Sequence, residues 1–426
     1  MSEHDFHNKE NISFCMGHEQ MGDTVWWLHA LSRLRETFPK EKYNIIVPIN
    51  RVQRPGADGK MHHVFAFNRL LYRSPELAIY WLHPDGQIEH PNQKLYYKEN
   101  EKPVFDVCQF RDIDRFIFSV FEKTSSISAM PFNTDALEKS DHSFFYQLPP
   151  IMFYPDPCEF DTNSDTAIEQ NEIFNAHETS SPHVIDHFCG QLEKFLKDKM
   201  NVILSAPNSA YIVKVDENTE LPYEILYNSD GTRRPLVVIQ TGTAGTIYKN
   251  IKPEVWGKVG ELLHAAGCTV IFIGRGSDPD PTLGKEHVIG IVSHVREQNI
   301  PGTLRFVANS DLVISGDTGV AHLAALYGRK TLTIFGTASS LQQAHPYPNP
   351  GRAEDVYALQ NPSKYDMFNP QPPRSTAEEI YSAAIAILAK SNLAVKPHAA
   401  LNKNFQLLQP ALKTPKASMH VLTHEY

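Results

Sequence analysis

The 426-residue sequence has no Cys-x-x-Cys pair, and its five cysteines, at 15, 108, 158, 189 and 268, are odd in number and widely scattered. A disulfide framework or a zinc ribbon is thereby excluded in favour of free thiols. Twenty histidines are present, yet neither His4 and His7 nor His62 and His63 have the spacing and neighbouring cysteines of a metal-ligand set. No metal site is expected. Long apolar runs are missing too: nothing approaches the roughly 18 uninterrupted residues of a membrane span. Cationic surplus is absent, with a formal net charge of −9, which excludes nucleic acid as a general partner because phosphate neutralisation needs a basic surface. The opening residues, MSEHDFHNKENISF, lack the basic start and apolar centre of a secretory signal, so the expected location is cytoplasmic.

What is there is a chain of α/β character, long enough for two domains. NISFCMG reads as a strand, HEQMGD as a polar loop, TVWWLHALSRLRETF as a helix and YNIIVPI as a second strand. That is the βαβ pattern of a parallel sheet. ELAIYWLH and PVFDVCQF read as further strands and DIDRFIFSVFEK as a helix. Residues 131–180 hold many prolines and acids with little period, an irregular insertion on the first domain. VIDHFCGQLEKFLKDK is a helix with Ile185, Phe188, Leu192, Phe195 and Leu196 on one face.

From about 230 the alternation becomes regular. PLVVIQTG, CTVIFIG, HVIGIV, DLVIS and KTLTIFG read as buried parallel strands, separated by the helices PEVWGKVGELLHAAG, IPGTLRFVANS and TGVAHLAALYG. STAEEIYSAAIAILAK has a capping box at Ser375 and Glu378. The expected organisation is a first Rossmann-like doubly wound domain over 1–230, a second over 231–392, and a tail over 393–426.

Ligands of such sheets sit at the carboxyl ends of the strands. Three loops of the second domain fall there: 241–249, 274–280 and 315–319. The first contains Thr241, Gly242, Thr243, Gly245, Thr246 and Lys249. Small residues admit a diphosphate to backbone N–H groups, hydroxyls donate to its oxygens, and lysine adds a point charge. It is not a P-loop, because the Gly-Lys-Ser/Thr ending is missing. The middle loop offers Ser277, Asp278 and Asp280 either to ribose hydroxyls or merely to solvent. In the third, Asp317, Thr318, Gly319 and Val320 open a helix whose free N–H groups and dipole suit a phosphate. Asp317 or Thr318 could equally be a plain cap. His322 is either part of that site or a packed histidine, and Asp23 either a strand-end base or an N-cap.

These residues carry a resemblance. SGDTGVAHLAALYGRKTLTIFGTAS, Ser315 to Ser339, resembles the Asp-Thr-Gly-x-x-His-Leu segment of the heptosyltransferase family of inverting glycosyltransferases, glycosyltransferase family 9. Asp23 in MGD, the helix beginning near His183, and Thr241, Thr243 and Lys249 seven residues before Trp256 are similar to other parts of that family. The resemblance implies a GT-B fold, two facing Rossmann-like domains with a cleft between them. It implies metal-independent transfer of a sugar, most often heptose from ADP-heptose, to an acceptor hydroxyl with inversion and without a cofactor. Asp23 would be the base. Thr241, Thr243, Lys249, Ser277, Asp317, Thr318, Gly319, Val320 and His322 would bind the donor. The acceptor would be a glycan, a lipid-linked glycan or a protein, and any membrane association would be peripheral, through the acceptor. Two other readings stand beside it: a non-catalytic nucleotide-sugar-binding protein and a GT-B-fold nucleotide-sugar epimerase.

Overall fold

The computed structural model describes residues 11–16, 21–39, 42–48, 53–55, 61–63, 77–82, 88–89, 114–121, 143–147, 183–205, 226–242, 249–274, 278, 280–281, 291–294, 300–335, 345–360, 373–391, 393, 395, 407–409 and 420–422. The chain forms two compact units, one of Met1–Phe153 with Val184–Lys214, the other of Tyr154–His183 with Val215–Tyr426.

The first unit runs β1 (Asn11–Met16), α1 (Met21–Thr37), β2 (Lys42–Pro48), β3 (Gln53–Pro55), β4 (Met61–His63), β5 (Leu77–Leu82), β6 (Ile88–Glu89), β7 (Asp114–Phe121), β8 (Ser143–Gln147) and α2 (Val184–Met200). Its main sheet has the order β6-β5-β2-β1-β7-β8, with β6 antiparallel and the rest parallel, while β3 and β4 form a separate antiparallel pair. Strand order reverses between β1 and β7, so the carboxyl end of β1, which leads into α1, is a switch point. α1 buries Val25, Leu28, Leu31 and Leu34, and α2, packed beside it, buries Ile185, Phe188, Leu192 and Leu196. Phe195 is only half-buried. Trp26 lies outside the residues whose side chains are described, as does all of PVFDVCQF.

Two expectations for this unit are corrected. DIDRFIFSVFEK is not a helix: Asp114–Phe121 is β7, held between β1 and β8. A short run with apolar residues on every side fits either a buried helix or a buried strand, and here pairing on both edges decides. The segment read as irregular includes β8, whose aromatic Phe144, Phe145 and Tyr146 extend the sheet beside β7.

The second unit contains β9 (Leu236–Gln240), α3 (Pro253–Ala265), β10 (Thr269–Ile273), β11 (Ile291–His294), α4 (Ile300–Asn309), β12 (Leu312–Gly316), α5 (Gly319–Leu326), β13 (Lys330–Phe335), β14 (Val356–Gln360), α6 (Ala377–Ala389), β15 (Leu407–Gln409) and β16 (His420–Leu422). The sheet order is β11-β10-β9-β12-β13-β14-β15-β16. β11 to β14 are parallel throughout, which is the 3-2-1-4-5-6 winding of a dinucleotide-binding fold with its switch point between β9 and β12. Alternate strand residues serve opposite faces. Val237, Ile239, Val270, Phe272, Leu312, Ile314, Leu332 and Ile334 share one core with Trp256 of α3 and Ile380, Tyr381 and Ala384 of α6. Leu236, Val238, Ile271, Ile273 and Val313, also buried, serve the other face, where α4 and α5 pack.

The helix punctuation follows from sequence. α3 starts at Pro253 and stops at Gly267, whose φ of +93° only glycine adopts without strain. The capping box of α6 is one residue later than expected: Thr376 accepts from the Glu379 N–H and Glu379 accepts from the Thr376 N–H. Ser375/Glu378 and Thr376/Glu379 both satisfy the pattern, and Ser375 is buried instead. Of HVIGIV, Ile291 and Val292 belong to β11 (Ile291–His294), and the rest lies outside the described residues. Within the segment expected to be a tail, β15 and β16 add antiparallel to β14, covering what would otherwise be an open parallel edge.

Candidate functional site

Register brings the loops of the second unit together. Gln240 of β9 pairs with Ile273 of β10 on one side and with Ser315 of β12 on the other. The chain therefore leaves three adjacent strands from a single row. Thr241 and Gly242 continue β9, Gly274 continues β10, and Asp317 continues β12. Thr241 is buried, and its N–H donates to the Ile273 carbonyl at 3.1 Å.

Asp317 and Thr318 lie between β12 and α5, and the structure decides against plain capping. Thr318 stands at the N-cap position with extended backbone (φ −139°, ψ 162°), but its side chain makes no capping hydrogen bond. Its hydroxyl instead reaches Ser315 Oγ at 3.4 Å, and Ser315 Oγ donates to the Gly316 carbonyl at 2.7 Å. Asp317 turns to Lys249, its Oδ2 lying 2.6 Å from Nζ, with the two side chains 11% and 25% exposed. Among the described residues, no side chain caps the first N–H groups of α5, at Gly319 and Val320.

α5 is apolar all round because it is enclosed, with Val320 to Leu326 buried. His322 lies within it, one turn in, and is buried. Desolvation pushes its pKa down to about 4, against the pull of the Asp317 carboxylate and with the help of the Lys249 ammonium. It is therefore neutral near pH 7 and bears on the site as an imidazole dipole rather than as a cation.

The middle loop contributes a side chain as well. Asp278 is half-buried, and a Cβ at Gly242 would overlap its carboxylate, while one at Gly274 would come within 3.0 Å of its Oδ2. The two glycines make room for Asp278 at the carboxyl ends of β9 and β10. The loop composition suggested it only as one of three acceptors; its close fit against Gly242 comes from the fold. Thr243 and Ser277 lie outside the described residues. The backbone of Asp23 lies in the first turn of α1, after the switch-point strand β1, and its side chain is not described. Among the described residues no group of three or more His, Cys, Asp or Glu could hold a metal ion, and no helix is long and apolar enough to cross a membrane. Cys189 and Cys268 are buried and free, their thiols pushed up to about 12 by desolvation, so they are inert.

Comparison with known proteins converges on the same edge. The model of glycosyltransferase family 9 (heptosyltransferase) matches residues 175–363, which include Lys249 and the whole of β12 and α5. A glycosyl transferase family 9 structure from Veillonella parvula DSM 2008 is similar at 12% identity, with 89% of this chain and 98% of that chain covered and a TM-score of 0.56. The E. coli ADP-heptose lps heptosyltransferase II is similar at 13% identity, covering 89% and 99% with a TM-score of 0.50. At such identities the likeness is one of fold, and the fold is GT-B. No curated protein matches.

Proposed function

We propose that the chain is a glycosyltransferase of the heptosyltransferase type that moves heptose from ADP-heptose onto an acceptor hydroxyl with inversion, without metal or cofactor. The observation that carries this reading is the Lys249–Asp317 pair at the uncapped start of α5. It brings a cation, the N–H groups of a helix start and a carboxylate together at the switch point of one sheet.

In the reaction the acceptor oxygen attacks the anomeric carbon, the bond from that carbon to the diphosphate oxygen breaks, and its electron pair leaves with ADP. The acceptor proton goes to a base on the opposite side of the sugar, which inversion requires. Asp23 takes that part: it follows the switch-point strand of the first unit, where such a sheet presents its chemistry. Negative charge growing on the diphosphate is met by Lys249, the hydroxyls of Thr241 and Thr243, and the N–H groups at 318–320. Asp317 holds sugar hydroxyls, Ser277 the ribose, and neutral His322 donates or accepts a single hydrogen bond beneath them. The acceptor is a glycan, a lipid-linked glycan or a protein, reached from the cytoplasmic side.

Calorimetric titration with ADP-heptose, GDP-sugars and UDP-sugars, on the parent and on Asp23→Asn, tests the reading. Retained ADP-heptose binding with transfer lowered by about a thousandfold supports Asp23 as the base, general base catalysis being worth roughly 10²–10⁴. Transfer that persists in Asp23→Asn removes it from that role. Preference for a GDP- or UDP-sugar would overturn the donor.

A further inference from the structure

The two groups of the site that would bind different parts of the donor are bound to each other. Lys249 closes the Gly/Thr loop after β9 and Asp317 precedes α5, yet their charged atoms lie 2.6 Å apart in surroundings that leave them only 25% and 11% exposed. A carboxylate beside a helix N-terminus is favoured on its own, and a shielded ion pair resists losing one partner because the other is left as an uncompensated charge. A diphosphate that draws the ammonium away therefore leaves Asp317 exposed to that penalty, unless something else donates to it. Sugar hydroxyls of a nucleotide sugar can do so. A nucleoside diphosphate has none at that end.

Resting on the donor-site reading above, we propose that Lys249 and Asp317 form an exchangeable ion pair by which this site tells sugar nucleotide from spent nucleotide. The donor satisfies both partners at once, its diphosphate on Lys249 and its sugar hydroxyls on Asp317. After transfer the nucleoside diphosphate satisfies Lys249 alone, Asp317 competes for the ammonium, and re-formation of the pair speeds release of the product. Asp317 is then a specificity residue for the donor–product difference as well as a sugar ligand. No covalent step is involved.

The test is calorimetry with ADP and with ADP-heptose, in the absence of acceptor, on the parent, Asp317→Asn, Asp317→Glu and Lys249→Ala, each checked for folding by its thermal transition. Asp317→Asn removes the competitor, so ADP should bind about tenfold more tightly while ADP-heptose binds no better or worse, a contrast set by one charge-assisted contact. Asp317→Glu keeps the carboxylate and should keep ADP binding weak; this second variant carries the test if Asp317→Asn does not fold. ADP binding that weakens or stays unchanged in Asp317→Asn overturns the exchange, as does tight ADP binding by Asp317→Glu. Lys249→Ala should weaken both ligands. If it leaves both affinities unchanged, the donor-site reading fails and the exchange fails with it, which separates that outcome from failure of the exchange alone.

Discussion

The two edges of the second unit's sheet use the same chemistry to different ends. At the amino edge, Asp311 takes Arg233 at 2.9 Å and also accepts the Leu236 N–H at 2.8 Å, so it ties the start of β9 to that of β12. Asp355 takes both Lys330 at 2.8 Å and Arg352 at 3.1 Å, tying the start of β13 to the turn before β14. Each carboxylate is shared between two donors. At the carboxyl edge, among the described residues, Asp317 takes Lys249, at the end of a loop. A carboxylate shared between two donors belongs to the fold, whereas a pair between a loop and a helix start can be traded for a ligand.

The largest expected effect lies at the amino edge. Asp355 is buried, and its side chain serves two cations of which Lys330 is mostly shielded. Asp355→Ala strands Lys330 beside the sheet and should lower the stability of the second unit by about 3 kcal/mol, in line with breaking a shielded pair from one side. Urea unfolding measures this, read on that unit's own transition since two units need not unfold as one. ADP affinity should stay within about twofold of the parent. A loss of ADP binding comparable to that of Lys249→Ala, with little change in stability, would erase the distinction between the edges.

His322 separates the edges by pH. Its pKa is lowered from 6.5 to about 4 in the folded protein, chiefly by burial, so the unfolded chain binds its proton more readily. Its contribution to stability is complete above pH 6.5 and is lost as pH falls from 6.5 toward 4, by up to about 3 kcal/mol. The amino-edge pairs contain no histidine. Denaturant midpoints taken between pH 4 and 7 should therefore fall less steeply in His322→Gln than in the parent. Parallel profiles would mean that His322 is not held neutral by its surroundings.

How much of this was legible beforehand depends on the distance over which each feature is decided. β9, β10, β12 and β13 are continuous Val/Ile/Leu/Phe runs because parallel strands are covered on both faces, and their parallel direction follows from alternation with helices. β7 was misread because its apolar run has no period that separates strand from helix, and only its neighbours β1 and β8 settle it. Convergence of the 241, 274 and 315 loops followed from topology, since a doubly wound sheet brings carboxyl ends to one edge. The Lys249–Asp317 pairing did not, because it joins residues 68 positions apart through rotamers that no local pattern encodes. The same holds where His183 Nε2 meets the His345 carbonyl at 2.9 Å, 162 positions away. Asp311 was passed over as the first letter of a strand; an acid before a buried strand, with an arginine before the neighbouring one, was the available signal.

The smallest expected effect asks what part of the Asp311 contact is charge. Arg233 is 38% exposed at its side chain, so its ion pair is screened and contributes about 0.2–1 kcal/mol. The Leu236 N–H is different: it begins a strand whose first four residues are buried, and leaving it without an acceptor costs about 1–3 kcal/mol. Asp311→Asn keeps a carbonyl oxygen for that N–H and loses only the charge, so it should destabilise by less than about 1 kcal/mol, whereas Asp311→Ala loses both and should cost about 2. Equal losses in the two variants would make the amino-edge contact an electrostatic one after all, of the same kind as Lys249 with Asp317, and the contrast would then rest on Asp355 alone.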